Sequence, residues 1–425
     1  MITTEPHTIQ LEPGIKKHFK QFALLVVVNA FVGAMIGLER SVLADLGIQV
    51  FHMQLGIVLT SFVLAFGLVK ALANLSVTKL LQHITRKQLL LLGWLFALPV
   101  PFLLSFAQSW IWIFIANIFL GIHQGLSWSA AVVMKIDLAG PKDRGLAMGL
   151  NEFAGYASVG LAAYLATVLA KAYGLAFYPF LPGFFFVGAG LFLTIIWVKD
   201  THAFVQVEAV HSTQSILGNL WREVSYRHHN IGSVSINGFV NNLNDAVIWL
   251  LLPALMLNKG FSMTQLGIAA AVYPLVWGGL QLFTGKAGDQ FCKKQLITGG
   301  MLLQAAALVL LAVAHHYGLV LLALVVLGAG TALVYPNFMT VIADNTHPSQ
   351  RANALSLFRF WRDMGYVVGA LLTGWLMPFT SLATLIFLTA SITAAAGLMA
   401  HFRMCCTRKL FWKDNFCAAE LAPFA

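Results

Sequence analysis

The residues most able to do chemistry in this sequence are charged side chains that interrupt long apolar stretches. Glu152 lies in one such stretch, and Arg359, Arg362 and Asp363 lie in another, where their spacing places them on one face of a helix. Charge is costly inside a membrane, so each of these groups is a candidate for function. We predict that Glu152 couples protons; the alternative is a fixed ion pair with an arginine of another helix.

The three charges on the second stretch offer a choice of roles. Asp363 is expected to neutralise one arginine, which leaves the other for Glu152 or for an anionic substrate. The alternative is that the arginines extend to the lipid head groups, as long basic side chains do.

A second candidate cluster is rich in amides. Asn237, Asn241, Asn244 and Asp245 share one helical face, and Asn29 holds the matching position in the first apolar stretch. So many polar groups are not expected to face lipid. With the three charges above, they are predicted to line a substrate cavity; hydrogen bonding between helices is the alternative.

Composition identifies the surroundings of these groups. Hydrophobic residues make up 59% of the 425 positions, charged residues only 10%, and the mean hydropathy is +0.79. A typical soluble domain carries about 25% charged residues. The net charge of +10 comes from short basic groups between apolar runs, which argues against nucleic acid as a partner and for a lipid bilayer.

The apolar runs are long enough to cross a membrane as helices, since a span needs about 20 residues. We find twelve, near residues 22–41, 55–73, 88–107, 110–132, 146–170, 178–198, 231–257, 264–284, 295–314, 318–342, 353–377 and 381–401. With the N-terminus inside, most of the 26 basic residues fall on the inner side, and only Arg40, Lys171 and Lys259 fall outside. This predicts a multi-pass protein of the inner (plasma) membrane with both termini cytoplasmic.

The chain repeats itself at an offset of 207 residues, which predicts two homologous six-helix halves. Arg86, Asp137, Arg144 and Glu152 correspond to Lys293, Asp344, Arg351 and Arg359. An even number of helices per half gives both halves the same orientation, so we predict an all-α membrane protein of two pseudo-symmetric six-helix bundles. The predicted parts are a cytoplasmic tail 1–21, a bundle 22–198, a cytoplasmic linker 199–230, a bundle 231–401 and a cytoplasmic tail 402–425.

The segment from Gly285 through Asp289 to Lys293 and Lys294 resembles the loop signature of the major facilitator superfamily. The resemblance implies the twelve-helix fold, alternating access, and a gate in which Asp289 pairs with Lys293, Lys294 and helix ends. The first half keeps only the basic pair, Arg86 and Lys87, of this gate. The alternative for the loop is ordinary positive charge on the inner side.

The expected function is secondary transport of a small polar solute, anionic or zwitterionic, coupled to protons. The alternatives are a multidrug or siderophore exporter and, in another class, a non-transporting membrane receptor. Neither a phosphate loop nor a His-Glu-x-x-His motif is found, so we expect no enzyme, cofactor or metal, and we expect a monomer.

The four cysteines, Cys292, Cys405, Cys406 and Cys417, all lie in segments assigned to the cytoplasm. We therefore expect reduced thiols and no structural disulfide. A soft-metal site at the vicinal pair Cys405 and Cys406 is the functional alternative.

Overall fold

The protein is all-helical in the part that the computed structural model describes, which is residues 12–40, 42–54, 58, 61–210, 212, 214, 216–406 and 411. Parts of both predicted tails lie outside these residues, and Cys417 is among the residues outside them. The helices of the first half are α1 Phe19–Arg40, α2 Val69–Leu80, α3 Arg86–Ala97 with its continuation Pro99–Ser105, α4 Trp110–Ala139, α5 Arg144–Tyr173 and α6 Pro182–Ile196. Those of the second half are α7 His229–Asn258, α8 Met263–Gln290, α9 Lys293–Val313, α10 Tyr317–Asp344, α11 Pro348–Leu376 and α12 Leu382–Arg403.

Short helical elements connect these spans. Leu43–Asp45 and the π-helical turn Leu46–Val50 follow α1, the π-helical turn Val63–Leu68 leads into α2, and the 3₁₀ turn Tyr178–Phe180 precedes α6. Between the halves lie a linker helix, His202–Val210, and the turns Leu220–Arg222 and Glu223–Arg227.

Length and hydropathy support a membrane setting for this bundle. Among the described residues, 10 helices are long and apolar enough to span a membrane. The remaining spans are α2, whose predicted run includes residues outside the described set, and α11, which has 29 residues but carries the arginine cluster. Large apolar side chains on the outside of the bundle, such as Leu161, Phe185 and Phe283 at 71%, 65% and 72% exposure, would be costly in water and suit lipid.

Several helices continue past the ends predicted from hydropathy. The fourth was expected to end near 132 and the eighth near 284, but α4 continues to Ala139 and α8 to Gln290. A hydropathy run marks only the part of a helix that meets hydrocarbon, whereas the backbone hydrogen bonds continue beyond it. These extensions carry Asp137 and Asp289, which both lie at the end of the bundle where the linker lies. We call this end the linker face.

The expectation of four reduced cysteines is wrong at one pair, because Cys292 and Cys406 form a disulfide. Cys292 precedes α9, and Cys406 follows the end of α12 at the linker face. The two are 114 residues apart in sequence, so only the packing of α12 beside α9 brings them together. The disulfide engages Cys406, so the vicinal pair is not a two-thiol metal site.

Candidate functional site

A cavity lies between the two halves, and helices of both halves line it. Its volume accessible to water is about 70 Å³. Its lining is Phe62, Phe66, Gly67, Lys70, Tyr156, Asn242, Asp245, Trp249, Trp277, Asp363 and Tyr366. Six of these side chains are aromatic and three are charged, so the cavity suits a solute with both apolar and ionic parts.

Asp363 is the centre of a buried ionic cluster that joins α2 to α11. Arg362 donates to it from Nε and Nη2 at 3.0 and 2.6 Å, and Asn74 donates at 2.7 Å. Lys70 Nζ lies 3.9 Å from the same carboxylate. Since Asn74 and Lys70 belong to the first half and Asp363 to the second, this cluster ties the halves together beside the cavity. Asp363 thus neutralises Arg362.

Arg359 has no such partner. Its side chain is 1% exposed, and none of its three guanidinium nitrogens has a hydrogen-bond acceptor among the described residues. The charge of Arg359 is favoured by the acidic groups of Asp363, Glu152 and Tyr156 and is opposed by the cation Lys135. A buried guanidinium without an acceptor is costly, which makes Arg359 a candidate for binding an anionic group.

Glu152 is fully buried on α5, and its hydrogen bonds come from the first half. Trp128 Nε1 donates to it at 3.1 Å and Asn151 Nδ2 at 2.6 Å. Lys135 donates to the Asn151 side chain, so Asn151 connects this cation to the Glu152 carboxylate. The second carboxylate oxygen, Oε2, accepts no hydrogen bond among the described residues.

Within the predicted polar cluster, the aspartate lines the cavity, whereas the asparagines hydrogen-bond to other protein groups. Asp245 lines the cavity and accepts from Tyr273, but Asn241 and Asn244 hydrogen-bond to Gln304 on α9 at 3.0 and 3.1 Å. The Asn237 amide donates to its own helix, at Ser233 O. Asn29 likewise joins α1 to α5 by donating to Asn151 O at 3.0 Å. A substrate role for these four asparagines stays a prediction. Asn242, in the same polar stretch of α7, lines the cavity beside Asp245.

At the linker face, Asp289 accepts hydrogen bonds from two backbone amides in the first turn of α5. Its carboxylate receives Gly145 N at 2.7 Å and Leu146 N at 2.9 Å. The N-terminus of a helix offers unpaired N–H groups and a partial positive charge, so a carboxylate is stabilised there. The contact requires close approach, because a Cβ on Gly145 would lie 2.1 Å from the carbonyl oxygen of Gly285.

The basic residues of the predicted gate contact acids at the ends of α4 and α10. Lys293 Nζ lies 2.7 Å from Asp344, and Arg86 Nε lies 2.7 Å from Asp137. These two pairs are equivalent under the repeat. Lys87 instead donates its backbone N–H to Asp200 at the start of the linker and its Nζ to Ile195 O near the end of α6. Lys294 is buried at 1% exposure.

Two arginines carry the ionic network from one half to the other. Arg144 of α5 lies 2.9 Å from Asp344 of the second half, and Arg351 of α11 lies 3.8 Å from Asp137 of the first half. Glu208, on the linker helix, pairs with both arginines; Arg351 donates to it from two nitrogens at 2.9 and 2.6 Å. This network closes the linker face.

The charge state of Glu208 follows from these contacts. Partial burial alone would raise its pKa, but the hydrogen bonds and charge of Arg351 and the charge of Arg144 outweigh burial and hold the pKa below its usual value. Glu208 is therefore ionised at neutral pH and binds both arginines as a carboxylate.

Sequence reasoning missed the cross-half pairs and Glu208. The offset of 207 residues aligns the two arginines with each other and their acids with each other, so the repeat indicates a shared role. It does not indicate which half each arginine contacts. Glu208 has no repeat counterpart and lies in a segment taken only as a polar linker, so no sequence signal marked it.

Comparison with known proteins identifies the family to which the sequence is similar. A model of the Major Facilitator Superfamily matches residues 22–228 and 234–413. Multidrug resistance protein MdtH of Klebsiella pneumoniae (strain 342) is 33% identical over 120 residues, which is 28% of this chain and 30% of that protein. MdtH of Aeromonas hydrophila subsp. hydrophila is 36% identical over 120 residues, with the same coverage of 28% and 30%. The alignment thus spans less than a third of these curated relatives.

Solved structures agree in fold. The human organic anion transporter MFSD10 (TETRAN) superposes with a TM-score of 0.74 at 13% identity, covering 90% of this chain and 99% of that one. The proton:xylose symporter XylE gives 0.73 at 14%, covering 92% and 97%. The predicted twelve-helix fold is confirmed, and because the family model extends over both halves, this multi-pass membrane protein belongs to the Major Facilitator Superfamily.

Proposed function

We propose that this transporter moves a small anionic or zwitterionic solute across the inner membrane by alternating access, and that Glu152 couples the movement to protons. The observation that carries the proposal is Arg359, a fully buried guanidinium with no hydrogen-bond acceptor among the described residues. An anionic group on the solute would supply the missing acceptor, and bidentate binding by arginine suits carboxylates.

Proton coupling is proposed from the position of Glu152. It lies on α5 within electrostatic range of Arg359, so its charge affects how strongly that arginine attracts an anion. Protonation of Glu152 would leave Arg359 less neutralised and more favourable to an anion. Proton binding and anion binding then favour each other, which is the linkage that cotransport needs.

The orientation is proposed from charge. The N-terminal segment, the linker and the end of α12 meet at the linker face, and the loops at this end hold most of the basic residues. The positive-inside rule makes this face cytoplasmic. The closed linker-face network and the cavity beyond it then correspond to a state closed to the cytoplasm, one of the two states that alternating access requires.

The test is transport in proteoliposomes that contain the purified protein. Uptake of radiolabelled organic anions is measured with an imposed pH gradient and, separately, as exchange without a gradient. Glu152→Gln should abolish gradient-driven uptake and keep exchange, whereas Arg359→Gln should reduce both. Glu39→Gln is the matched control, because Glu39 is also a buried membrane carboxyl but binds Asn117 on the far side of the first half.

If Glu152→Gln keeps gradient-driven uptake and Glu39→Gln loses it, the coupling group is Glu39 and the assignment to Glu152 is wrong. A second candidate function, drug export, is favoured by the partial similarity to MdtH proteins. Efflux of cationic dyes that is unaffected by Arg359→Gln would support that function against ours.

A further inference from the structure

A layer of aromatic side chains borders the cavity on the side toward the linker face, and two of its members, Tyr156 and Trp277, line the cavity. We define this aromatic layer as Trp128, Tyr156, Trp277 and Tyr335. The rings of Tyr156 on α5 and Trp277 on α8 have centroids 4.1 Å apart, so the layer crosses from one half to the other. Trp128 extends it by 5.7 Å in the first half and Tyr335 by 5.9 Å in the second.

Polar groups without partners lie one helical turn beyond this layer, toward the linker face. Gln281 follows Trp277 by one turn on α8. On α11, Arg362 lies over the Tyr335 ring, 5.0 Å from its centroid, and Arg359 precedes it by one turn. Gln281 is 0% exposed, and neither its amide nitrogen nor its amide oxygen has a hydrogen-bond partner among the described residues. Trp277 Nε1, at the layer itself, is also unpartnered in that part of the chain.

Most of these open groups are donors. The three guanidinium nitrogens of Arg359, the Gln281 amide nitrogen and Trp277 Nε1 outnumber the open acceptors, which are the Gln281 amide oxygen and Glu152 Oε2. Buried donors are almost always satisfied in folded proteins, so open donors on two helices that contact the other half favour a ligand that supplies the acceptor. Two cations, Lys135 and Arg359, both interact electrostatically with Glu152, so this carboxylate is shared between them.

The cavity side of the layer is mainly aromatic, with Lys70, Asp245 and Asp363 as its charged members. Phe62, Phe66, Trp249 and Tyr366 line the cavity together with Tyr156 and Trp277. Aromatic side chains favour flat, apolar ligands through ring stacking and burial of area. A solute that used both compartments would therefore combine a flat apolar body with one anionic end.

We infer that the solute is an aromatic organic anion, whose ring lies in the cavity and whose carboxylate or sulfonate binds Arg359, Gln281 and Trp277 when Tyr156 and Trp277 move apart. This inference rests on the proposed function and narrows its substrate class. When the halves separate, Tyr156 and Trp277 lose their ring contact, and the ring of the solute replaces it by stacking on them. The aromatic layer therefore selects solutes that carry a ring.

The first test is a matched ligand series measured by calorimetry on the purified full chain. The probes are 1-naphthoate, the aliphatic anion octanoate, the neutral 1-naphthamide and the cation 1-naphthylmethylamine. We expect 1-naphthoate to bind at least tenfold more tightly than each of the others. Equal binding of octanoate would overturn the aromatic requirement, and tighter binding of the amine or the amide would overturn the anionic one.

The second test uses variants of the donors. Trp277→Phe keeps a ring and removes the N–H, and Gln281→Leu removes the amide; each should weaken 1-naphthoate binding fivefold or more. Trp197→Phe, at a tryptophan on the outside of the bundle with 54% exposure, is the matched control and should leave binding unchanged. Unchanged 1-naphthoate binding in both donor variants would overturn the site, and a melting curve for each variant verifies folding.

The two levels of the proposal fail separately. Uptake of an aliphatic anion that depends on Arg359, without binding of 1-naphthoate, would leave the proposed function intact and overturn the aromatic class. Absence of any binding or uptake of anions that depends on Arg359 would overturn both.

Discussion

Arg144 and Arg351 occupy equivalent positions in the two halves, and a single carboxylate, Glu208 of the linker helix, pairs with both of them. Each arginine also faces the acid that belongs to the other half, Asp344 for Arg144 and Asp137 for Arg351. The arrangement follows the pseudo-symmetry of the repeat, and Glu208 is the only one of these acids that lies outside both bundles. The linker therefore takes part directly in closing the linker face.

Replacing Glu208 with glutamine should loosen that closure. The change removes a charge that accepts hydrogen bonds from two arginines, and such bonds contribute about 1.5–3 kcal/mol each when a charge is involved. We expect the ratio of closed to open molecules to fall roughly ten-fold or more. Hydrogen–deuterium exchange should show faster exchange at the Gly145 and Leu146 amides, which Asp289 protects in the closed state.

The matched control for this experiment is Glu223→Gln. Glu223 also lies between the halves, but its partner is Arg227 on the same turn, at 3.5 Å. The exchange of the α5 amides should not change in this variant. Equal acceleration in both variants would mean that linker charge in general, and not the contact of Glu208 with the arginines, supports closure.

Closure should weaken in acid with a defined sign. The pKa of Glu208 is depressed in the closed state, so its stabilisation is fully present above its usual pKa of 4.5 and is lost as the pH falls through the lower closed-state value. The difference in melting temperature between wild type and Glu208→Gln should be constant from pH 8 to about pH 5 and shrink below pH 4.5. A difference that grows on acidification would contradict the ionised contact.

Close packing of α5 on α8 predicts a steric effect at Gly145. A methyl group there would lie 2.1 Å from the Gly285 carbonyl oxygen, and a backbone atom cannot move aside cheaply. Gly145→Ala should therefore separate the helices at the linker face and accelerate exchange at Leu146. Gly160→Ala on the same helix has nothing within 4 Å of the added carbon and should behave as wild type. If the two variants exchange alike, the closeness of this contact does not hold the face closed.

The disulfide predicts a specific pattern of thiol labelling. Peptide mapping of denatured, unreduced protein should recover Cys292 and Cys406 as one cross-linked product, and reduction should release both for alkylation. In Cys406→Ser, Cys292 should be alkylated without reduction. A disulfide that closes a long loop typically stabilises by about 2–4 kcal/mol, so this variant should also melt at a lower temperature. Alkylation of Cys292 in unreduced wild-type protein would contradict the pairing.

The amino-acid sequence by itself determined the solvent and the architecture of this protein. A continuous run of about 20 apolar residues crosses lipid as a helix, because the helix pairs every backbone polar group within its own segment. The repeat that relates Arg86 to Lys293 and Asp137 to Asp344 then implied two like-oriented halves. Both inferences need only local pattern, and pattern is what a sequence displays directly.

The tertiary structure decided which polar groups satisfy one another. Asn241 and Asn244 lie on the predicted face, yet Gln304 of a neighbouring helix binds both, whereas Arg359 remains without an acceptor among the described residues. Glu208 and the disulfide partners likewise meet only through packing. A helix face can be read from spacing of 3.6 residues, but the partner it meets depends on how distant helices are arranged, and the free energy of burying a polar group depends on that partner.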